Sequence, residues 1–147
     1  MSCALFPGQG SQHIGMGKFL FDNFKVAREL FEEAADTLKI DFKKLCFEGP
    51  ESDLQLTFNT QPALLLVSVA SFKVVHEEKG IKITSSAGHS VGEYAAVVCA
   101  ESLKFSEALK AVRSRGEFMQ SAVPVGVGGM VAAMGLTPEQ VTQMCQW

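Results

Sequence analysis

The sequence lacks any run of basic residues, and its formal net charge is −3 at neutral pH. Binding to nucleic acid depends on clustered lysine and arginine, so we expect no nucleic-acid partner. The first residues contain no charged segment followed by a long apolar core, which argues against a signal peptide. The longest mostly apolar stretch, residues 62–72, is too short to span a bilayer and is typical of a core helix. We therefore expect a cytoplasmic protein with no membrane partner.

Cysteine pairs at metal-ligand or redox spacing are also missing. The four cysteines, Cys3, Cys46, Cys99 and Cys145, are far apart, and no histidine lies at metal-ligand spacing. This pattern argues against a disulfide framework and a zinc site, so we expect reduced thiols, no metal and no cofactor. With 147 residues, of which 47% are hydrophobic and 20% charged, the chain can bury a real core and is not disordered.

The most informative stretch that is present is Gly88-His89-Ser90-Val91-Gly92. The β-branched run 81–84 predicts a buried strand before it, and the small residues 93–100 predict a helix packed closely against a sheet. Gly-x-Ser-x-Gly between a strand and a helix is typical of a nucleophile elbow, where glycines permit a sharp turn and the serine hydroxyl stands clear of the backbone. The simpler alternative is an ordinary glycine–serine turn.

Apolar periodicity and capping residues predict the remaining elements. They are a strand at 2–6, a helix at 24–38 capped by Asn23, a helix from Asn59 or Thr60 to Gly80, a helix at 106–121 capped by Ser106, a strand at 130–134, and a helix opened by a capping box at 137–140. Residues 124–129, rich in glycine, predict a hinge before a second unit that is not finished at Trp147.

A loop with four glycines, residues 8–17, directly follows the first strand. A dinucleotide fingerprint is excluded because its third glycine would fall on His13, and no Gly-Lys-Ser/Thr is present. We interpret the loop as a flexible segment whose main-chain N–H groups face a ligand.

Two arginines of the helix at 106–121 differ in their predicted environment. Arg115 lies on the inner stripe with Ala108, Ala111 or Val112, and Met119. An arginine among apolar neighbours needs an anionic partner or a stem that reaches water. Arg113 lies on another face and is interpreted as ordinary surface charge.

A serine nucleophile needs a general base, and no histidine follows His89. The remaining candidates are His13, His76 and His89. His76 lies at a charged helix end, and the side chain of His89 should point away from its neighbour Ser90 and pack under the turn. The simplest account is that the base lies beyond Trp147 and that the chain is the first half of an enzyme.

Four segments together resemble a known family: residues 6–12, 60–64, 88–94 and 115–120. In order and spacing they resemble the malonyl-CoA:acyl carrier protein transacylases, within the acyltransferase family of fatty-acid and polyketide synthesis. The resemblance extends over essentially the whole chain. Members of that family are about twice as long and carry their catalytic histidine in the second half.

This resemblance implies an α/β fold with a three-layer parallel sheet similar to α/β hydrolases, followed by a small ferredoxin-like α+β subdomain. Residues 1–125 would form the large subdomain, which is incomplete because it lacks its C-terminal strands. Residues 126–147 would be the first strand and helix of the small subdomain.

The resemblance also implies a role for individual residues. Ser90 matches the nucleophile, Gln9 and Val91 match the positions whose backbone N–H groups form the oxyanion hole, and Arg115 matches the arginine that binds the malonyl carboxylate. Gln61 and Met119 match positions near the pocket, although Gln61 is equally well explained as a polar residue at a helix start. The implied partners are malonyl-CoA, acyl carrier protein and a C-terminal fragment of the same enzyme.

Two other functions remain open at this point. A serine esterase or thioesterase would use the same elbow with water in place of the thiol. A non-catalytic fragment that folds with a complementary half would explain the absent histidine. Arg115 and the glycine loop favour the transferase.

Overall fold

The computed structural model describes residues 2–123, 127 and 133–146. The predicted hinge at 124–129 and the predicted strand at 130–134 lie largely outside these residues. In chain order the elements are β1 (Cys3–Phe6), α1 (Lys18–Asn23), α2 (Lys25–Leu38), a π-helical segment (Lys44–Glu48), α3 (Glu51–Gln55), α4 (Thr57–Lys79), β2 (Ser85–Gly88), α5 (Val91–Cys99), α6 (Phe105–Ala122) and α7 (Pro138–Met144).

The two strands of the described residues form a parallel sheet. β1 pairs with β2 in a register that joins Cys3 to Ser85 and Phe6 to Gly88. The predicted strand at 81–84 is therefore wrong by four residues: Ile81 is 44% exposed, and the ladder begins only where Thr84 N–H donates to the Ser2 carbonyl at 3.0 Å. The physical reason is strand pairing, because β1 begins at Cys3 and its partner strand therefore begins at Ser85.

The start of each long helix also differs from the prediction. Asn23 does not cap α2, because its amide donates to the Phe19 carbonyl at the end of α1, and Phe24 precedes α2 instead. Helix α4 begins at Thr57 after Leu56, so Pro62 lies inside the helix and not in its first turn. Lys104, not Ser106, precedes α6. Gly80 ends α4 in the left-handed conformation, as the sequence predicts.

Helix α4 is the centre of the core, and α2, α5 and α6 pack around it. It is the one helix of the described residues that is long and apolar enough to cross a membrane, but 61% of its most apolar stretch is buried inside the protein, as in a core helix. Helix α6 faces it with Phe105, Ala108, Leu109, Val112 and Gly116, while Ala111 is exposed. Helix α7 starts with the predicted capping box between Thr137 and Gln140 and buries none of its residues.

The turn between β2 and α5 depends on two glycines. A Cβ on Gly88 would lie 2.0 Å from the carbonyl carbon of Gly92, and a Cβ on Gly92 would lie 2.4 Å from the Phe6 carbonyl oxygen. These atoms belong to the backbone and cannot rotate away. The close approach of β1, β2 and α5 is therefore possible only without a side chain at these positions.

Gly92→Ala tests this close approach. We expect the substitution to lower the free energy of unfolding by about 3 kcal/mol, since the new methyl group overlaps a backbone carbonyl. Urea unfolding followed by circular dichroism measures it. Gly80→Ala is the matched control, because Gly80 has a φ of 61° but open space where its Cβ would be. Its free energy of unfolding should fall by only about 1 kcal/mol, the cost of a left-handed backbone for alanine. Equal losses in the two variants would contradict the packing argument.

Candidate active site

Ser90 lies at the turn between β2 and α5 with φ 56° and ψ −112°. This is a strained backbone for a residue with a side chain and costs on the order of 1–3 kcal/mol. Three hydrogen bonds hold it: His89 N–H to the Phe6 carbonyl (3.1 Å), Gly92 N–H to the His89 carbonyl (2.9 Å) and Glu93 N–H to the Ser90 carbonyl (3.1 Å). A strained serine between a strand and a helix is the geometry that the predicted nucleophile elbow requires.

The backbone N–H groups of Val91 and Gln9 belong to two segments that meet at this turn, since Val91 follows Ser90 directly and Gln9 follows Gly8, which contacts His89. Val91 is the first residue of α5, so its N–H is one of the free donors at a helix start, and it finds no acceptor among the described residues. Gln9 follows the buried Gly8 in the glycine loop, and its N–H also finds no acceptor there. Both groups are available to a ligand oxygen, and the positive end of α5 favours an anion.

The glycine loop is tied down at several points, contrary to the flexible segment expected from its glycines. Gly15 N–H donates to the Cys46 carbonyl at 2.7 Å, and Gln12 Nε2 donates to Gln55 Oε1 at 2.6 Å. The side chain of Gln9 reaches Thr57 Oγ1 at 3.4 Å. The loop is therefore held against the π-helical segment, the end of α3 and the start of α4, which fixes the position of its N–H groups.

His89 packs against this loop. A Cβ on Gly8 would lie 2.4 Å from His89 Nδ1, so the imidazole occupies the space beside the missing side chain. This agrees with the prediction that His89 packs under the turn. His13 Nδ1 lies 3.4 Å from the Ser11 carbonyl, and His76 Nδ1 lies 3.2 Å from the Ile81 carbonyl. None of the three histidines of the sequence hydrogen-bonds to Ser90.

The side-chain partner of Ser90 is Arg115. Arg115 Nη2 donates to Ser90 Oγ at 3.0 Å, and Nη1 donates to Gln61 Oε1 at 2.6 Å. Gln61 is fully buried, and its Nε2 donates to the sulfur of Met119 at 3.2 Å. The structure thus brings together four of the six predicted site residues in one hydrogen-bonded chain, which runs from Met119 through Gln61 and Arg115 to Ser90.

Among the residues that the structure describes, Arg115 has neutral partners only. Its half-buried guanidinium forms none of the four ion pairs found among the described residues, which are Lys18–Asp22, Lys25–Glu29, Lys39–Asp36 and Arg113–Glu117. The sequence predicted an anionic partner or a stem that reaches water, and within the described part of the chain no carboxylate takes that place. A positive charge beside the serine hydroxyl is therefore available to an anionic ligand.

The interpretation of Arg113 as ordinary surface charge was wrong. Its side chain is 25% exposed, and its Nη1 donates to the Phe58 carbonyl and to Asn59 Oδ1. Pro62 is the sequence signal that could have indicated a partner for Arg113, because a proline there leaves the carbonyl of Phe58 without its helical donor.

Two cysteine side chains, those of Cys46 and Cys99, are unsuitable as nucleophiles. Burial raises the pKa of the Cys46 thiol and of the Cys99 thiol to about 12, although Lys73 acts against the shift at Cys99. Both thiols are protonated at neutral pH, whereas the thiolate is the reactive form. Among the described residues no cluster of three or more histidine, cysteine, aspartate or glutamate side chains could hold a metal ion. Ser90 is therefore a better candidate nucleophile than either of these thiols.

Comparison with known proteins shows which family this chain resembles. The family model of the acyl transferase domain matches residues 4–147. The malonyl CoA-acyl carrier protein transacylase of Bacillus subtilis (strain 168) is 49% identical over 140 residues, which are 95% of this chain and 44% of that protein.

Two solved structures are similar to this chain. The malonyl CoA-acyl carrier protein transacylase of Coxiella burnetii superposes with a TM-score of 0.88 at 46% identity, over 97% of this chain and 45% of that one. A malonyl-transacylase in complex with its type II PKS acyl-carrier protein gives a TM-score of 0.88 at 44% identity, over 99% of this chain and 47% of that one.

The chain spans less than half of the length of each of these relatives. The match nevertheless includes the glycine loop, the strained Ser90 and the helix that carries Arg115. On that evidence the chain belongs to the acyl transferase domain family.

Proposed function

We propose that this chain carries the nucleophile and the carboxylate-binding side chain of an enzyme that transfers a malonyl group from malonyl-CoA to the phosphopantetheine thiol of acyl carrier protein. The observation that carries the proposal is the 3.0 Å hydrogen bond between Arg115 Nη2 and Ser90 Oγ. In a malonyl ester of Ser90 the free carboxylate carbon is three bonds from Oγ. An arginine that reaches Oγ also reaches that carboxylate.

In the first half-reaction, Ser90 Oγ attacks the thioester carbonyl carbon of malonyl-CoA while a general base takes the hydroxyl proton. The carbonyl oxygen becomes an oxyanion, and the N–H groups of Gln9 and Val91 donate to it. When the tetrahedral intermediate collapses, the carbon–sulfur bond breaks and the CoA sulfur takes the proton from the base. The product is a malonyl ester of Ser90.

In the second half-reaction, the phosphopantetheine thiol gives its proton to the same base and its sulfur attacks the ester carbonyl. The carbon–oxygen bond to Ser90 then breaks, and the proton returns to Oγ. Because no histidine of this chain bonds to Ser90, we assign the base to the portion of a longer protein, or of a second polypeptide, that lies beyond Trp147.

Arg115 distinguishes this transferase from a generic serine esterase. Both terminal nitrogens already point at oxygen atoms, Gln61 Oε1 and Ser90 Oγ, and the planar fork can pair with both oxygens of a carboxylate. Gln61, buried and held by Met119, fixes the orientation of the guanidinium. An esterase for neutral acyl groups has no use for an unneutralised arginine at this place.

The architecture of the complete enzyme is part of the proposal. A three-layer parallel sheet similar to α/β hydrolases would include β1 and β2 as two of its strands. Two observations support this: Leu5 of β1 is 77% exposed, and an apolar groove with a cavity of about 380 Å³ lies beside β1 and is lined by Leu5, Phe72 and Val75 among others. Later strands would cover these apolar side chains.

The boundary between the two subdomains would lie near residue 125. Helix α7 supports this, because it has a complete capping box but buries no residue against the rest of the described chain. Residues 126–147 would then open a ferredoxin-like subdomain that packs elsewhere. The proposed substrates are soluble metabolites and a carrier protein, which is why we propose a cytoplasmic location.

The first test concerns the covalent intermediate. Material that contains this chain and the complementary C-terminal portion, incubated with malonyl-CoA, should gain a malonyl group that intact-mass spectrometry detects. We expect Ser90→Ala to abolish the adduct and to lower transfer by several orders of magnitude, as in other serine enzymes without their nucleophile. Ser102→Ala is the control, because that hydroxyl is exposed and donates to the Ala100 carbonyl, its one partner among the described residues. An adduct that persists in Ser90→Ala would refute the assignment.

The second test concerns the arginine. Arg115→Ala should depress kcat/KM for malonyl-CoA and leave kcat/KM for acetyl-CoA similar or higher, since acetyl has no carboxylate. A charged hydrogen bond of this kind contributes about 1.5–3 kcal/mol, which corresponds to about ten- to a hundredfold in preference. Equal losses for both substrates would mean that Arg115 has a structural role, and the esterase hypothesis would then be preferred.

The third test concerns completeness. The 147-residue chain alone should show little transfer and a low melting temperature, because the groove beside β1 is uncovered. Adding the C-terminal portion of the same enzyme should raise both, and the melting temperature should rise with its concentration. Ser90→Ala serves as control: it should gain the same stability but no activity. Full activity of the chain by itself would disprove the need for a complementary half.

A further inference from the structure

The start of α4 contains a defect that a neighbouring helix repairs. Pro62 lies inside α4 and has no N–H, so the carbonyl of Phe58, four residues earlier, lacks its helical donor. Arg113 of α6 supplies a substitute: its Nη1 donates to the Phe58 carbonyl at 3.1 Å and to Asn59 Oδ1 at 2.8 Å. A positively charged donor is well suited to a carbonyl that would otherwise be unpaired.

Further contacts fix the same arginine. Its guanidinium carbon lies 4.6 Å from the centre of the Phe58 ring, and its Nε donates to Glu117 Oε1 at 2.7 Å. One turn along α6, a Cβ on Gly116 would lie 2.6 Å from the Phe58 Cα, so the two helices are in backbone contact there. We call these contacts of Arg113 with Phe58, Asn59 and Glu117 the arginine clamp.

The clamp lies beside the site residues on both helices. Gln61 follows Phe58 by three residues on α4, and Arg115 follows Arg113 by two residues on α6. The hydrogen bond of 2.6 Å between Arg115 and Gln61 therefore depends on the spacing and rotation of the two helices beside the clamp. A shift of about 1 Å at this point would separate the pair and move Nη2 away from Ser90 Oγ.

We propose that Arg113 is a positioning residue for the Arg115–Gln61 pair, and that it acts by capping the carbonyl that Pro62 leaves free. It does not touch the acyl group. Its consequence for substrate choice, a sharper preference for an acyl group that carries a carboxylate, rests on the function proposed above. Its structural part, the coupling between Arg113 and Pro62, is independent of that function.

A double-mutant cycle tests the structural part. Pro62→Ala restores an N–H that can donate to the Phe58 carbonyl, so Arg113→Met should be less harmful in that background. Urea unfolding of the four proteins (the parent chain, each single variant and the double variant) gives the coupling. We expect Arg113→Met to raise the unfolding equilibrium constant about tenfold more in the parent chain than in the Pro62→Ala background. Additive effects would overturn the proposal. Should Arg113→Met not fold, Arg113→Lys enters the same cycle with the same criterion, because lysine cannot form the fork.

Transfer kinetics test the functional part, in material that contains the complementary portion. Arg113→Met should lower the ratio of kcat/KM for malonyl-CoA to that for acetyl-CoA about tenfold, and Pro62→Ala should reduce this loss. Arg28→Met is the matched control: Arg28 Nη1 also donates to backbone carbonyls, of Phe21 and Asp22, but it bonds to none of the site residues. Arg28→Met should lower the free energy of unfolding and leave the ratio of the two kcat/KM values unchanged.

The outcomes separate the two proposals. An unchanged ratio in Arg113→Met, beside a lowered ratio in Arg115→Ala, would overturn the positioning role and leave the proposed function intact. Absence of malonyl transfer in the parent material would refute the proposed function, while the unfolding cycle would still decide whether Arg113 and Pro62 are coupled. A ratio that falls equally in Arg28→Met and Arg113→Met would show general loss of structure and would overturn the positioning role.

Discussion

The close approach of α4 and α6 is the constraint on which the candidate site depends. Gly116 permits backbone contact with Phe58, and within one turn of that contact Gln61 on one helix meets Arg115 on the other. Arg115 then extends to Ser90, which β2 and α5 present from a different part of the core. Three separate parts of the chain thus meet at one guanidinium, and its contact with Gln61 depends on the spacing of the two helices.

The second constraint is the absence of side chains around the elbow. Gly88 and Gly92 let β1, β2 and α5 approach so closely that any Cβ would overlap backbone atoms. The strained backbone of Ser90 persists because these contacts and the hydrogen bonds of His89, Gly92 and Glu93 hold it in place. Strain at the serine and tight packing below it are therefore two aspects of one arrangement, since loosening the packing would let the serine relax.

The sequence predicted the parts of the structure that follow local rules. The elbow, the ends of α4 and α2 and the capping box of α7 depend on glycine, apolar periodicity and capping chemistry, which are readable from neighbouring residues. The prediction was wrong where a distant element decides. Strand β2 begins at Ser85 because it pairs with Cys3, and the β-branched residues before it did not signal that pairing. The role of Arg113 depends on the Phe58 carbonyl, 55 residues away in another helix. That carbonyl lacks its helical donor because Pro62 has no N–H.

The electrostatics of Arg115 explain why such a site would be selective. The half-buried guanidinium has only neutral partners in the part of the chain that the structure describes. Such a group is stabilised less than one paired with a carboxylate, and a ligand that brings a negative charge gains that difference in free energy. An acyl group with a terminal carboxylate would supply that charge within reach of Ser90, whereas a neutral acyl group would leave the arginine as it is in the free chain. Discrimination would then come from the protein's own unsatisfied charge and not from the shape of the pocket. This is why the positioning of Arg115 by Gln61 and by the arginine clamp matters: a guanidinium free to turn toward water would lose much of that difference.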